Sequence, residues 1–165
     1  MVRGPTTRLS GVATVLPPRV YLAIGLVLTH PWFHPIHRRL FALTGGRGPV
    51  GRALGMDMIL VRMIGRRSGE ERAVPLGAVR DGATWILIGS NAGKERIPAW
   101  VHNLRAHGLV TVVHGGRSVA FRAREATGDE WDRLWTVVTT AYPGYDVYRR
   151  RTDRHIPLFV LDPVG

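Results

Sequence analysis

No cysteine occurs in the 165 residues of this chain. That absence excludes a disulfide scaffold, a thiolate zinc site, a cysteine nucleophile and a cysteine-ligated iron–sulfur cluster, and it suits a reducing compartment. Lysine is nearly missing as well: Lys94 is the single lysine among 23 basic residues, which leaves 22 arginines. Acids number 12, and none precedes Asp57. Long apolar runs are lacking too. Val20 to Leu28 is an uncharged stretch, but a spanning helix needs about 20 such residues.

What is present is a formal charge of +11, carried almost wholly by arginine. The guanidinium fork grips phosphate and carboxylate in bidentate fashion, so an anionic partner is expected. With 45% apolar and 21% charged residues the chain can bury a core, and its length suits one domain. Twenty glycines and eleven prolines argue for turns rather than a helical bundle.

The charge pattern divides the chain into a basic, partly apolar N-terminal extension, 1–55, and a compact domain, 56–165. In the extension Phe33, Ile36, Leu40 and Leu43 follow helical spacing, with Trp32 and Phe41 nearby and Arg38 and Arg39 off the stripe. Such a segment suits a membrane interface; it equally suits packing on the domain or on another subunit. HPWFHPIHRR makes a poor cleavage site, which weakens a secretory reading. His30, His34 and His37 share a helical spacing, but Pro31 and Pro35 break a regular helix there, and no metal is expected. These features suggest a cytoplasmic protein, with peripheral contact at the inner face of the plasma membrane.

From Asp57 the pattern is one of short strands: Met58 to Ile64, Arg72 to Arg80, Thr84 to Gly89, Leu109 to His114, Arg117 to Ala126 and Ile156 to Leu161. Asp81-Gly82 and Gly115-Gly116 are hairpin signals. Pro75 demotes its strand to an edge or a bulge. Ala99 to His107 reads as a helix opened by Pro98. Thr127 and Glu130 have the spacing of a capping box before a helix with Trp131, Leu134, Trp135 and Val138 on one face. The class is therefore α+β, a sheet or barrel of about six mainly antiparallel strands with two or three helices.

Four segments hold candidate chemistry. Gly65-Arg66-Arg67-Ser68-Gly69-Glu70-Glu71-Arg72 sets three arginines and a serine on a glycine-flanked turn, an anion site or a solvated hairpin. Gly89-Ser90-Asn91-Ala92-Gly93 leaves an apolar strand through small residues, which lets a ligand approach the backbone, or is an ordinary loop. In Pro98-Ala99-Trp100-Val101-His102-Asn103-Leu104 the Trp100 and Leu104 spacing suits core, and Asn103 suits a ligand amide or a cap. Tyr142, Tyr145 and Tyr148 recur every three residues and suit a planar, partly polar substrate or helix packing. No acid pair or Ser–His–Asp spacing emerges, so hydride transfer with a bound cofactor is the class that fits.

Taken in order, GRRSGEERAVPLGAVRDG, GSNAGKERIPAWVHNLRA and AYPGYDVYRRRTDRHIPLFVLDP resemble the deazaflavin (F420)-dependent nitroreductase and quinone reductase family of actinobacteria. The resemblance covers about residue 56 to the C-terminus. It implies a split β-barrel of the flavin-reductase type and coenzyme F420, whose phosphodiester and glutamate tail are anionic. It assigns Arg66, Arg67, Ser68 and Arg72 to that tail, with Pro75 and Leu76 beside the cofactor. Ser90, Asn91, Ala92 and Gly93 match the loop along phosphate and ring. Pro98, Ala99, Trp100, Asn103 and Leu104 match the segment under the deazaflavin, and Tyr142, Tyr145 and Tyr148 the substrate side, where Tyr142 is the favoured proton or hydrogen-bond donor. Two departures stand out. Asn91 replaces a lysine of some relatives, and Glu70 and Glu71 bring negative charge beside Arg72.

The implied reaction is hydride transfer from F420H2 to an electron-poor quinone, enone or nitro compound, with menaquinone-like acceptors suiting a membrane-surface leader. The alternatives are an FMN-binding split barrel, a non-catalytic F420-binding module and, without any recognition motif, a nucleic-acid binder. Trp85 and Trp100 are the tryptophans expected to report ligand binding. Oligomeric state is left open.

Overall fold

The structure is a computed structural model and describes residues 16–28 and 56–165. Its six strands are β1 (Asp57–Ile64), β2 (Glu71–Asp81), β3 (Thr84–Ile88), β4 (Leu109–His114), β5 (Arg117–Glu125) and β6 (Leu158–Pro163). They close into a barrel in the order β1-β2-β3-β6-β5-β4, with every neighbouring pair antiparallel. Among the described residues three helices accompany them in the domain, as expected, and a fourth precedes it: α1 (Pro18–Leu28) in the extension, then α2 (Ala99–Ala106), α3 (Gly128–Ala141) and α4 (Gly144–Arg149).

Strand alternation sorts the apolar residues into two cores. Trp85 and Leu87 of β3 join Phe159 and Leu161 of β6 inside the barrel, where α2 adds Trp100, Val101 and Leu104. The intervening Ile86, Ile88, Leu158 and Val160 face the other way and pack with Trp131, Leu134, Trp135 and Val138 of α3. A strand covered on both faces needs no polar side, which is why TWILI reads as one apolar run.

The turns follow their glycines. Gly115 and Gly116 both take positive φ, 59° and 81°, as a two-residue hairpin of this hand requires. Asp81 pairs with Thr84, so the other turn is centred on Gly82-Ala83, one residue later than the Asp81-Gly82 signal. Pro75 stands opposite Leu60 of β1, while β2 meets β3 only from Ala78 onward. Its stretch of β2 has one partner strand, an edge position of the kind in which proline is tolerated.

Two local expectations are corrected. Thr127 stands at the N-cap of α3, but its side chain makes no capping bond. Glu130 does not reach back; its carboxylate takes both Nη atoms of Arg124 at 2.7 and 2.9 Å, a bidentate charged pair that outcompetes a single capping bond. The last strand starts at Leu158 rather than Ile156. The Ile156 carbonyl instead accepts the indole N–H of Trp131 at 2.9 Å.

Part of the N-terminal extension belongs to the folded unit. In α1 Tyr21 and Gly25, one helical turn apart, are buried against the residues of α4. The stripe Phe33, Ile36, Leu40 and Leu43, with Trp32, Phe41, Arg38, Arg39 and the histidines 30, 34 and 37, lies outside the described residues. Among the described residues no helix is long and apolar enough to cross a membrane.

Candidate active site

A cavity of about 1190 Å³ forms where the β1–β2 turn, the loop over residues 89–98, the start of α2 and the tyrosines of 142–148 converge. Two kinds of side chain line it, cationic and phenolic.

The first kind is cationic: Arg66, Arg67, Arg72, Lys94 and Arg96. The β1–β2 turn is shaped by Gly69 at φ 68° and closed by the Gly65 N–H donating to the Glu70 carbonyl at 2.8 Å. Asn103 of α2 fastens this turn, its side-chain oxygen accepting the Arg66 N–H at 3.1 Å. Among the described residues no carboxylate pairs with Arg66 or Arg67. Arg72 does pair, with Glu70 at 2.8 Å, and also donates to the Ser68 hydroxyl at 3.2 Å. Both partners are exposed, and such a pair is worth on the order of 0–1 kcal/mol, so an incoming anion can compete for Arg72. The field registers on His102, also in the lining: partial burial first, then Arg66, Arg105, Arg67 and Arg96, push its pKa below the ordinary value and favour the neutral imidazole.

The loop that carries Lys94 and Arg96 has an unusual backbone. Ser90 is in the right-handed helical region, and Asn91, Ala92 and Gly93 follow with φ of 48°, 54° and 75°. A right-handed residue followed by a left-handed one gathers successive N–H groups into an anion-binding concavity. Gly93 is obligatory for a second reason: a Cβ there would stand 2.6 Å from the Tyr148 carbonyl oxygen. The Asn91 side chain does not replace a lysine's charge. Its amide N–H donates to the Arg96 carbonyl at 2.7 Å and closes the loop. Lys94 and Arg96, two and four residues beyond Ala92, supply positive charge from this loop instead.

The second kind is phenolic. Tyr142, Tyr145 and Tyr148 are all nearly buried and meet ring to ring at 5.1–6.3 Å between centroids. The Tyr148 hydroxyl donates to the Tyr21 carbonyl at 2.7 Å. Its oxygen therefore accepts from Tyr142 across 3.1 Å. Among the described residues the Tyr145 hydroxyl has only the sulfur of Met56, at 3.5 Å, and a thioether is a weak acceptor. Burial raises all three pKa values above the ordinary phenol, so these hydroxyls hold their protons.

Of the residues singled out from sequence, Arg66, Arg67, Ser68, Arg72, Pro75, Leu76, Ser90, Asn91, Ala92, Pro98, Ala99, Trp100, Asn103, Tyr142, Tyr145 and Tyr148 all line this one cavity. Gly93 and Leu104 do not: Gly93 is buried against the Tyr148 carbonyl, and Leu104 lies inside the barrel. Trp85 is away from the cavity lining, in the barrel core with Arg80 over its ring at 3.9 Å, whereas Trp100 is part of the wall. Sequence reasoning missed Gly25, Met56, Met58, Lys94, Arg96 and His102 as wall residues. The GKER run signals Lys94 and Arg96; nothing in the apolar run of α1 signals Gly25.

A solved F420-H2 dependent reductase, FDR-A, is similar with a TM-score of 0.59 and 33% identity, covering 64% of this chain and 93% of that one. The haem storage protein HutZ from Vibrio cholerae, at 11% identity and a TM-score of 0.51 over 71% of this chain and 87% of that one, shares the fold alone. Barrel and cavity together define a split-barrel oxidoreductase. Residues 36–163 match the F420H(2)-dependent quinone reductase family, and the chain belongs to it. The F420H(2)-dependent quinone reductase Rv1261c of Mycobacterium tuberculosis is 29% identical over 131 residues, which is 76% of this chain and 87% of the relative. The protein is an F420H2-dependent oxidoreductase with coenzyme F420 as its cofactor.

The cavity suits that group. Its volume exceeds the several hundred cubic ångströms of an ordinary ligand pocket, enough for a cofactor and a second molecule. Its arginines, backbone concavity and flat Trp100 wall match an anionic tail, a phosphodiester and a ring.

Proposed function

We propose that F420H2 binds with its anionic tail among Arg66, Arg67, Ser68, Arg72, Lys94 and Arg96, and that a quinone headgroup meets the tyrosines. In this arrangement Ser90, Asn91 and Ala92 follow the phosphodiester. Pro98, Ala99, Trp100 and Asn103 support the ring, and Pro75 and Leu76 flank it. The observation that carries this reading is the convergence of five cationic side chains and three tyrosines on the wall of one cavity.

The reduced deazaflavin supplies a hydride when bound. The chain's own residues then fix orientation and exclude water. The quinone takes up two electrons and one proton with the hydride and a second proton from solvent, which completes the hydroquinone. Tyr145 is the hydroxyl best suited to the developing oxyanion, because Tyr142 donates its proton to Tyr148 and Tyr148 donates its own to the Tyr21 carbonyl. With its pKa raised by burial, it stabilises that charge by a hydrogen bond and keeps its proton.

The acceptor class we favour is a lipid-borne, menaquinone-like quinone met at a membrane surface. The support is the outer face of α1, where Val20 and Leu26 stay 39% exposed while Tyr21 and Gly25 turn inward.

The test is titration with F420 followed by tryptophan quenching. Replacing Arg66 and Arg67 together by Ala should weaken binding by about tenfold or more at low salt, and the difference should shrink as ionic strength rises. Equal affinity in wild type and variant would remove these arginines from the tail site.

A further inference from the structure

Arg154 lies outside the cavity lining, yet its guanidinium is bonded to the most strained segment of the cavity wall. Nη2 donates to the carbonyls of Gly89 at 3.0 Å and Ser90 at 2.7 Å. Nε donates to the carbonyl of Lys94 at 2.9 Å, and Nη1 to that of His155 at 3.3 Å. The side chain is half-buried, and burial holds its pKa below the usual arginine value. A surface arginine would have no reason to accept that position. Here backbone carbonyls replace its lost water.

Between the anchored carbonyls run the three left-handed residues Asn91, Ala92 and Gly93. Glycine takes such a backbone freely; alanine and asparagine do so only when their surroundings hold them there. The holding comes from two sides. Arg154 grips the carbonyls before and after the turn, and the main chain of Tyr148 backs directly onto Gly93. No peptide here is cis. The Gly89 and Ser90 carbonyls face the guanidinium, so the N–H groups of the same peptides, those of Ser90 and Asn91, face away from it. Ser90, Asn91 and Ala92 are the loop residues that line the cavity.

We infer that Arg154 is a positioning residue for F420: it holds Asn91–Gly93 in their left-handed form, with the Ser90 and Asn91 N–H groups presented to the anionic part of the cofactor, without touching the cofactor. The inference rests on the assignment of this loop to F420 made above. It adds a cation placed behind the binding backbone, where its charge also strengthens the amide dipoles it organises.

Arg154→Met removes every donor and keeps the apolar stem. F420 affinity is read by quenching of tryptophan fluorescence, with the melting temperature measured beside it. Affinity should fall by about tenfold or more, while kcat at saturating F420H2 changes much less. Adding Ala92→Gly to Arg154→Met should recover affinity severalfold, because glycine takes this φ without a Cβ penalty. An arginine with a merely structural role would not be compensated by deleting one methyl group. Should Arg154→Met not fold, Arg154→Lys replaces it. One ammonium cannot span the carbonyls of Gly89, Ser90 and Lys94, so the same loss and the same recovery are expected. Wild-type affinity in either variant, or lost affinity that Ala92→Gly leaves unrecovered, overturns the inference. Failure of the wild-type protein to bind F420 would instead overturn the assignment of the cavity.

Discussion

The hydroxyl of Tyr148 donates to the main-chain carbonyl of Tyr21 across 2.7 Å, joining residues 127 positions apart in the chain. Gly25, one turn along α1, comes so close that a Cβ there would collide with the same hydroxyl. Tyr148 is thus a strut between α1 and α4. Tyr148→Phe keeps the ring and removes the strut. It should cost about 1–2 kcal/mol in urea unfolding and leave the Tyr21 carbonyl without that donor. Hydrogen exchange over residues 18–28 should quicken, while F420 affinity holds. Unaltered exchange in α1 would mean that the helix is held by its side chains alone.

Tyr145 is set apart by the weakness of its present partner, the Met56 sulfur at 3.5 Å. Tyr145→Phe should lower kcat toward a quinone by about a hundredfold and leave F420 affinity near wild type. Tyr142→Phe breaks only the link to Tyr148 and should have the smaller effect on turnover. The reverse ranking would move the oxyanion contact to Tyr142.

Burial raises the pKa of Tyr142, Tyr145 and Tyr148 above the ordinary phenol value of 10.0, with the bond to Tyr148 adding to the shift at Tyr142. The folded state keeps these protons where the unfolded chain releases them. Their contribution to stability is therefore complete below pH 10 and declines as pH rises beyond it. Near-ultraviolet phenolate absorbance from these residues should appear together with unfolding, not before it. Early titration of more than one tyrosine in the native protein would contradict their burial.

The exposed apolar face of α1 makes a separable claim. Val20→Glu with Leu26→Glu leaves Tyr21 and Gly25 untouched and should reduce partitioning onto anionic lipid vesicles. Turnover of a short-chain soluble quinone should be retained. Equal partitioning of wild type and variant would leave α1 as a wall of the cavity and nothing more.

Much of the barrel was legible because its turns are written in glycine: Gly82, Gly115 and Gly116 each take the positive φ that a short hairpin demands. The arginine turn, the small-residue loop and the tyrosine triplet were legible as segments, since each is contiguous. Their convergence was implied by the family resemblance, not by spacing or composition. Asn103 reaches the Arg66 backbone across 37 positions, and Arg154 reaches Gly89 across 65. The capping box misled because local spacing says nothing of Arg124, which pairing between β5 and β6 and the start of α3 bring to Glu130. The pairing of Arg72 with Glu70 was foreseeable, as the two are neighbours in sequence.

The match to the family begins at residue 36, whereas α1 ends at Leu28. A shortened version starting at the matched span would still possess every arginine of the cavity wall, the strained loop and all six strands. It would lack Gly25 and the Tyr21 carbonyl, and so leave the Tyr148 hydroxyl facing water. Such a truncated protein would be expected to capture F420 normally while misjudging its acceptors, passing a binding assay and giving a misleading answer about selectivity.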